Sequence, residues 1–367
     1  MDMVTEYKSR IHKVREWMEI LDIPKVIITP GANLRYLTGY KAKNLERLTC
    51  LVIDKKSDSF TLVPKLEKLA ALDSNIELLD IEVRTWDEDE NPYEKINQMR
   101  EKRKIAIDPE MNASKLLSFQ SNNSDAMFVD ARIIMNPIRS IKSPYEISQL
   151  VYSGKLIDSV HQKVPELVTV GETERSVANK IRDEILSSGH EKVDFVIVAS
   201  GENSASPHHE PSDRRISNGD VLVIDIGGTT PNGYCSDSTR TYIVGESSQE
   251  FIQMYQILQQ SQISAINNVA KDISAKELDL VARNYLDQNG LGEYFIHRTG
   301  HGIGLETHEE PYIVETNLEK LENGNAFSIE PGFYIEGKFG ARIEDIVVKT
   351  QKETIICNNQ SRDLVYI

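Results

Sequence analysis

Apolar residues recur along this chain with two spacings, one typical of helices and one typical of strands. Within residues 4–21, Tyr7, Ile11, Val14 and Met18 lie three or four positions apart, which predicts a helix with one buried face. Short apolar and β-branched runs follow, separated by polar segments of helical character. These predicted strands are 25–29, 49–53, 60–63, 78–83, 105–107 and 127–129. Alternating strands and helices predict an α/β domain in this part of the chain.

A proline-bounded segment predicts a domain boundary. Residues 136–144 read NPIRSIKSP, with basic residues and little apolar content. We therefore expect an amino-terminal domain at 1–135, a linker at 136–144 and a second domain at 145–367. Ser247 and Glu250 are expected to form a capping box in the second domain. The patterns there predict helices at 147–168, 173–188, 247–268 and 276–288 and a strand at 193–199.

The stretch at 221–245 carries two acidic residues in a predicted hairpin. An apolar run ends at Asp225, turn-forming residues cluster around Pro231, and the returning strand carries Asp237. The two carboxylates have the same parity along paired strands, so they would lie on one face and close together. Two interpretations are open at this point. Either Asp225 caps a turn while Asp237 pairs with Arg240 at the surface, or the two acids share a buried site.

A second stretch, 325–348, repeats the arrangement and favours the shared site. Glu330 lies on its outgoing strand and Glu344 on its returning strand, and a turn centred on Gly337 would set them opposite each other. Four carboxylates gathered on two hairpins would repel one another strongly unless cations held them. The repeated arrangement therefore predicts a cation site.

A histidine in a glycine-rich segment adds a nitrogen ligand. His301 lies between Gly300 and Gly302, so its backbone can approach other groups closely. Imidazole beside carboxylates suits manganese, cobalt, zinc or iron. We predict one site for two divalent metal ions, with the ligands Asp225, Asp237, His301, Glu330 and Glu344.

Such a site would perform metal-assisted hydrolysis. Two ions roughly 3.5–4 Å apart would lower the pKa of a shared water and stabilise the oxyanion formed when that water attacks a carbonyl. His208 and His308 could donate a hydrogen bond to the substrate carbonyl or pass a proton to the leaving group. For His209 and His297, a structural role is equally open.

Composition narrows the class of partner. The chain has 367 residues, 40% of them apolar, which is enough for two domains with full cores. Its formal net charge of −15 argues against nucleic acid or an anionic membrane as the main partner. Without an apolar run of roughly 18 residues or a signal-like start, we expect a cytoplasmic protein. Cys50, Cys235 and Cys357 lack CxxC spacing and are expected to be reduced structural residues.

A series of short motifs resembles the two-domain metallopeptidases with the pita-bread catalytic fold, the family of Xaa-Pro dipeptidase (prolidase) and aminopeptidase P. The motifs are Asp225-Ile-Gly, SDSTRT at 236–241, GHGIG at 300–304, His308-Glu309, EPG at 330–332 and RIED at 342–345. NLRYLTG at 33–39 and IRSIKS at 138–143 resemble the amino-terminal domain and its junction. The resemblance implies an α/β (α+β) protein, with a smaller amino-terminal α/β domain followed by a pita-bread catalytic domain.

The resemblance also implies a role for each metal ligand. Asp225 would chelate one ion, while Asp237 and Glu344 would bridge both. His301 and Glu330 would complete the shell of the other ion. Glu330 would also accept the proton of the attacking water.

Further implications concern the substrate, the metals and the assembly. His208 and His308 would line the substrate pocket, and Arg342 would bind substrate or orient the carboxylates, with a buried structural ion pair as the alternative. The resemblance implies small peptide substrates with proline at the second position, manganese or cobalt as the metals with zinc or iron also accepted, and a homodimer.

One departure from the family pattern leaves the substrate length open. In many prolidases an Arg after the His-Glu pair binds the terminal carboxylate of the dipeptide, whereas this chain has Tyr312 there. Either another cation, such as Arg342 or a residue of a partner subunit, binds that group, or the enzyme acts on longer peptides. We expect an Xaa-Pro dipeptidase, with an aminopeptidase P as the alternative. A creatinase-like metal-free hydrolase and a non-catalytic binding module are disfavoured because every ligand type is present.

Overall fold

Two separately packed units make up the chain, Met1–Arg139 and Ser140–Ile367. The computed structural model describes residues 3–55, 58–74, 76–96 and 104–367. The division lies within the expected linker at 136–144. That segment is not irregular, because it contains the end of one helix and the start of the next, with a proline inside the first and at the beginning of the second.

A six-stranded mixed sheet forms the centre of the first unit. Its strands are β1 (Lys25–Ile28), β2 (Cys50–Asp54), β3 (Phe60–Pro64), β4 (Glu82–Trp86), β5 (Lys104–Ile107) and β6 (Met127–Asp130), in the order β4-β3-β2-β1-β5-β6. The helices are α1 (Met3–Ile20), α2 (Ala32–Thr38), α3 (Lys68–Leu72), α4 (Pro92–Ile96), α5 (Ala113–Asn122) and α6 (Arg132–Ser140). The β1–β2 and β2–β3 pairs are antiparallel, and the other three are parallel.

The apolar spacing accounts for most of these elements. The four apolar residues that predicted α1 are all buried, which confirms that helix. The predicted strand at 78–83 is wrong in its first half, because Glu77–Leu79 forms a single 3-10 turn and β4 begins at Glu82. Asp80 explains the difference, since its φ of 60° interrupts an extended chain.

Two larger sheets and four helices build the second unit. The helices are α7 (Pro144–Leu167), α8 (Glu174–Ser187), α9 (Gln249–Ile266) and α10 (Ala275–Gln288). The strands are β7 (Lys192–Ser200), β8 (Val221–Thr229), β9 (Cys235–Ile243), β10 (Gly300–Gly302), β11 (Glu309–Ile313), β12 (Ala326–Ile329), β13 (Gly332–Ile335), β14 (Phe339–Arg342), β15 (Asp345–Lys349), β16 (Thr354–Ile356) and β17 (Val365–Tyr366). One sheet has the order β17-β9-β8-β7 and another β11-β10-β12-β15-β16, while β13 and β14 form a two-stranded ribbon.

Each larger sheet buries one face against a pair of helices. Helices α7 and α8 share a core with the four-stranded sheet, which includes Ile181 and Ile224. Helices α9 and α10 share another core with the five-stranded sheet, which includes Leu278 and Phe327. Burial of these apolar faces is the main stabilising contribution to the unit. The arrangement is the pita-bread fold, as the motifs implied.

Helix starts in the second unit follow ordinary capping chemistry. Ser143 caps α7 and Ser274 caps α10, each in a reciprocal capping box with a glutamate three residues further on. At α9 the prediction is off by one residue, because Ser248 rather than Ser247 accepts the hydrogen bond from the amide of Phe251. Across the described ranges, no helix combines the length and the apolar character that crossing a membrane would require.

Candidate active site

The first acidic hairpin has its two carboxylates on one face of the sheet. In the β8–β9 ladder, Asp225 pairs with Thr239 and Gly227 pairs with Asp237. Directly opposed residues point to the same face, and so do alternate residues of one strand. Asp225 and Asp237 therefore face the same side of the hairpin, as their parity predicted.

The second acidic stretch returns on itself around Gly337. Strand β12 pairs with β15 and β13 pairs with β14 in one continuous register, which places Glu330 opposite Glu344 at the break between the two ladders. At this break the amide of Glu344 donates to the carbonyl of Thr239 at 3.1 Å, and the amide of Glu330 donates to the carbonyl of Thr299 at 2.8 Å. The bond from Glu344 joins the second hairpin directly to the first.

Five side chains of ligand type converge where the two hairpins meet. Ligand atoms of Asp225, Asp237 and Glu344 lie within 4.8 Å of one another, and so do those of His301, Glu330 and Glu344. Glu344 belongs to both groups, and ligand atoms of Asp237, His301 and His308 form a third group within the same distance. The structure thus brings together all five residues that the sequence singled out as metal ligands.

His301 is held so that one ring nitrogen faces carboxylate oxygens. Its Nδ1 lies 3.1 Å from the carbonyl oxygen of Gly302, which can only accept, so Nδ1 carries the proton. Burial lowers the pKa of His301 to about 4, which leaves the ring neutral near pH 7. Nε2 therefore presents a lone pair 3.2 Å from Glu330 Oε1 and 3.6 Å from Asp237 Oδ2. Lone pairs that face one another this closely call for a cation between them.

Burial and mutual repulsion oppose ionisation of the carboxylates. Burial, followed by the neighbouring carboxylates, raises the pKa of Asp237 and of Glu344 well above the usual range. Burial also raises the pKa of Glu330 to about 7. Oδ1 of Asp225 is buried and has no hydrogen-bond partner in the described part of the chain. Uncompensated oxygens beside a neutral imidazole nitrogen are a donor set that fits divalent cations.

The guanidinium of Arg342 forms hydrogen bonds within this group of ligands. Its guanidinium contacts Asp225 Oδ2 at 2.6 Å and donates to the hydroxyls of Tyr334 at 2.6 Å and Thr239 at 3.0 Å. The Thr239 hydroxyl in turn donates to Glu344 at 2.8 Å. Arg342 is buried, so this charge offsets part of the carboxylate repulsion and orients Asp225.

The surface pairing of Asp237 with Arg240 is wrong. Arg240 is buried and pairs with Asp345 at 2.7 Å. It also donates to the carbonyl oxygen of Glu344 at 2.6 Å. Arg240 therefore joins the first hairpin to the second and supports the strand end from which the Glu344 side chain projects.

A cavity of about 540 Å³ opens onto the ligands. Besides the ligands and Arg342, it is lined by Phe195, Ile197, Pro207, His208, His297, Arg298 and His308. Both histidines that were expected to face substrate, His208 and His308, are in this set. The ring centroids of His308 and His301 are 4.0 Å apart, so His308 lies directly beside a candidate ligand.

His209 and His297, whose roles the sequence left open, both make structural contacts. His209 Nε2 lies 2.8 Å from the buried carboxylate of Glu174. His297 lines the cavity, and its Nδ1 donates to the carbonyl oxygen of Arg298 at 2.8 Å. Burial lowers the pKa of His297 to about 3, so its Nε2 is an acceptor for the Tyr334 hydroxyl at 2.9 Å. These bonds anchor the segments that carry His208 and Arg298.

Four lining residues were not predicted from the sequence. Phe195 and Ile197 are alternate residues of β7, opposite Gly227 and Asp225 of β8. Strand parity could have found them if the β7–β8 pairing had been known. The others are Pro207 and Arg298, and the signal for Arg298 is its position just before the glycine-rich segment of His301.

The fold and the site together define a class: a two-domain enzyme whose pita-bread domain carries a carboxylate and histidine centre suited to divalent metal ions. Residues 148–351 match Metallopeptidase family M24, and residues 10–141 match the Creatinase/Prolidase N-terminal domain. The chain belongs to metallopeptidase family M24. It is therefore a metal-dependent peptide hydrolase, as the motifs implied.

Similar proteins cover the chain from end to end. The probable dipeptidase PepE of Mycobacterium tuberculosis is 41% identical over 344 residues, which are 93% of this chain and 92% of that protein. The crystal structure of dipeptidase PepE from Mycobacterium ulcerans has a TM-score of 0.94 and 40% identity, and the match covers 100% of this chain and 99% of the other. The crystal structure of the prolidase from Thermococcus sibiricus has a TM-score of 0.92 and 37% identity, and the match covers 100% of both chains.

Proposed function

We propose that this protein is an Xaa-Pro dipeptidase that uses two divalent metal ions. The observation that carries the proposal is the convergence of five ligand-type side chains on one cavity, with buried oxygens and an imidazole lone pair facing one another. The three similar proteins described above are called dipeptidases and a prolidase, which supports a dipeptide substrate with proline at the second position.

The two groups of ligands suggest how the ions would be held. Asp225, Asp237 and Glu344 would hold one ion, and His301, Glu330 and Glu344 would hold the other. Glu344 belongs to both groups, and Asp237, whose Oδ2 lies 3.6 Å from His301 Nε2, would be the second residue shared by the two ions. Manganese or cobalt is the proposed metal, and the same oxygen and nitrogen donors would accept zinc or iron. When bound, such ions supply Lewis-acid chemistry that polarises the scissile carbonyl and lowers the pKa of a water.

Glu330 is the proposed proton acceptor. The Ser328 hydroxyl donates to Glu330 Oε1 at 2.9 Å and so orients the carboxylate. Glu330 is partly accessible, whereas Asp237 and Glu344 are buried. A carboxylate oxygen of Glu330 would take the proton of the attacking water and return it to the proline nitrogen as that nitrogen leaves.

An apolar wall beside Asp225 offers a place for the proline ring. Phe195 and Ile197 lie on the same face of the sheet as Asp225, and Pro207 lines the cavity with them. Gly227 makes room for Phe195, because a Cβ at Gly227 would lie 2.4 Å from its ring. An Xaa-Pro bond has no N–H, so an apolar surface with no acceptor for that proton favours proline at this position.

The dipeptidase proposal is tested with two substrates. The metal-stripped protein is reloaded with manganese or cobalt and assayed on Ala-Pro and on Ala-Pro-Ala. We expect restored activity on Ala-Pro and much weaker activity on Ala-Pro-Ala. Comparable or faster cleavage of the tripeptide would favour the aminopeptidase P alternative. No cleavage of either peptide with any metal would contradict the proposed substrate class.

His308 is proposed to assist turnover together with His208. Its ring adjoins His301 in the cavity, where an imidazole can donate to the substrate carbonyl or to the leaving group. We expect His308→Ala to lower kcat by roughly 100-fold or more while the metal content stays at the wild-type value. Elemental analysis and steady-state kinetics on the same preparation test this. Loss of the metals in the variant would show that His308 is a ligand instead.

We propose that the protein is cytoplasmic and forms a homodimer. The three cysteines are buried and form no disulfide among the described residues, which suits a reducing compartment. The homodimer rests on the resemblance to two-domain prolidases. Small peptides remain the proposed partners, because the formal net charge of −15 disfavours nucleic acid.

A further inference from the structure

The cavity contains a cation that the ligand network does not use. Of the lining residues, Arg298 and Arg342 carry a fixed positive charge. Arg342 is bonded to Asp225, Thr239 and Tyr334, as described above. The Arg298 side chain, in contrast, makes no ion pair and donates no hydrogen bond within the described ranges, and it is partly accessible to solvent. Its hydrogen-bonding capacity is therefore available to a ligand in the cavity.

The guanidinium of Arg298 lies over an aromatic ring. Its central carbon is 4.5 Å from the centroid of the Tyr312 ring. A cation over a ring face is attracted to it electrostatically, and this contact leaves the N–H donors of the guanidinium available for other acceptors. Two such donors match the two oxygens of a carboxylate, which gives a bidentate contact. The contact with Tyr312 thus restricts the position of the guanidinium before any ligand binds.

The main chain on both sides of Arg298 is also fixed. Its carbonyl oxygen accepts the hydrogen bond from His297 described above. On the other side, the amide and hydroxyl of Thr299 both donate to the buried carboxylate of Asp279, at 3.1 and 2.7 Å. An arginine on an anchored backbone loses less conformational freedom on binding than an arginine on a mobile loop. Arg298 therefore has the properties of a preformed recognition group.

We propose that Arg298, oriented by Tyr312, binds the terminal carboxylate of the dipeptide and thereby sets the preferred peptide length. The inference rests on the proposed function, since it concerns the substrate of the same site. A dipeptide has its carboxylate on the residue after the cleaved bond, whereas a tripeptide carries an amide at that point. The contact with Arg298 is therefore stronger for the dipeptide carboxylate than for the tripeptide amide. Tyr312, which carries no charge, takes part by holding the arginine rather than by contacting the carboxylate as an ion.

The test compares substrates with and without the carboxylate. Values of kcat/KM are measured for Ala-Pro and for its amide, Ala-Pro-NH2, with the metal-loaded wild type, Arg298→Ala, Arg298→Lys and Tyr312→Leu. Arg182→Ala is the matched control, because Arg182 is exposed on α8 and away from the cavity. The quantity compared is the ratio of kcat/KM for Ala-Pro to kcat/KM for the amide.

We expect this ratio to fall by roughly 10- to 100-fold in Arg298→Ala, mainly through KM, since one charge-assisted contact is lost. Arg298→Lys should keep part of the ratio, Tyr312→Leu should lower it several-fold through loss of the ring, and Arg182→Ala should leave it unchanged. If Arg298 had only a structural role, its replacement would lower kcat/KM equally for the two substrates. An unchanged ratio in Arg298→Ala and in Tyr312→Leu would overturn this inference alone. A wild-type enzyme that cleaves neither substrate would overturn the proposed function and this inference with it.

Discussion

Glu344→Ala is expected to abolish peptide hydrolysis. Glu344 belongs both to the group with Asp225 and Asp237 and to the group with His301 and Glu330, so its loss would weaken both proposed ion sites at once. Removal of a residue that only supports a metal ligand typically costs roughly 10- to 100-fold in affinity or activity. We therefore expect well over a 100-fold loss of kcat/KM for Glu344→Ala. Asp237→Ala should behave alike, because Asp237 is the other proposed bridging ligand.

The measurement pairs activity with metal content and stability. Glu336→Ala is the matched control, since Glu336 is an exposed acid in the turn of the same hairpin. The control should keep full activity and its metals. The metal-free fold of Glu344→Ala should be no less stable than the metal-free wild type, because the substitution removes a buried carboxylate that its neighbours repel. Full activity in Glu344→Ala or in Asp237→Ala would refute the two-metal assignment.

The two acidic hairpins were predictable because their signals are local. Strand parity decides which face each carboxylate occupies, and turn-forming residues fix where the chain reverses. The register around Gly337 follows from the same rule. His301 carried a comparable local signal in its flanking glycines. At Gly300 a Cβ would lie 1.9 Å from the carbonyl oxygen of Ser328, so close backbone packing requires glycine there.

Contacts between distant segments were not predictable in the same way. Arg240 lies three residues from Asp237 in the sequence, yet its ionic partner, Asp345, is 105 positions away. Nothing in the spacing around Asp237 distinguishes this buried pairing from a surface pair with a near neighbour. The same limitation applies to Phe195 and Ile197, whose place in the cavity depends on which strand pairs with β8. Non-local pairing is set by the packing of whole sheets rather than by local propensity.

Removal of the metals is expected to make the stability of the wild type fall with rising pH. Asp237, Glu344 and Glu330 have pKa values raised in the folded state, Glu330 to about 7 from 4.5. Such groups are protonated in the folded, metal-free protein at a pH where the unfolded chain has already released the protons. Their stabilising contribution is complete below the unfolded pKa and is lost as the pH rises through the folded pKa.

The pH window for this test must lie above the range in which the histidines titrate. The folded pKa values of His297 and His301 are lowered, to about 3 and 4, so these groups contribute stability that is lost as the pH falls below about 6.5. Above about pH 7.5, roughly one unit over the unfolded histidine pKa, both rings are neutral in either state and the carboxylates decide the slope. The melting temperature of the metal-free protein should therefore fall between about pH 7.5 and 8.5.

Metal loading should reverse this trend, because the ions need ionised carboxylates and protons compete with them. At the upper end of the window, saturating manganese should raise the melting temperature by roughly 5 °C or more. Differential scanning calorimetry of the stripped and reloaded protein tests both slopes, with Glu344→Gln as the variant in which the metal-free slope should flatten. A metal-free melting temperature that rises with pH across this window would mean that the five side chains are not the mutually repelling cluster on which the two-metal site depends.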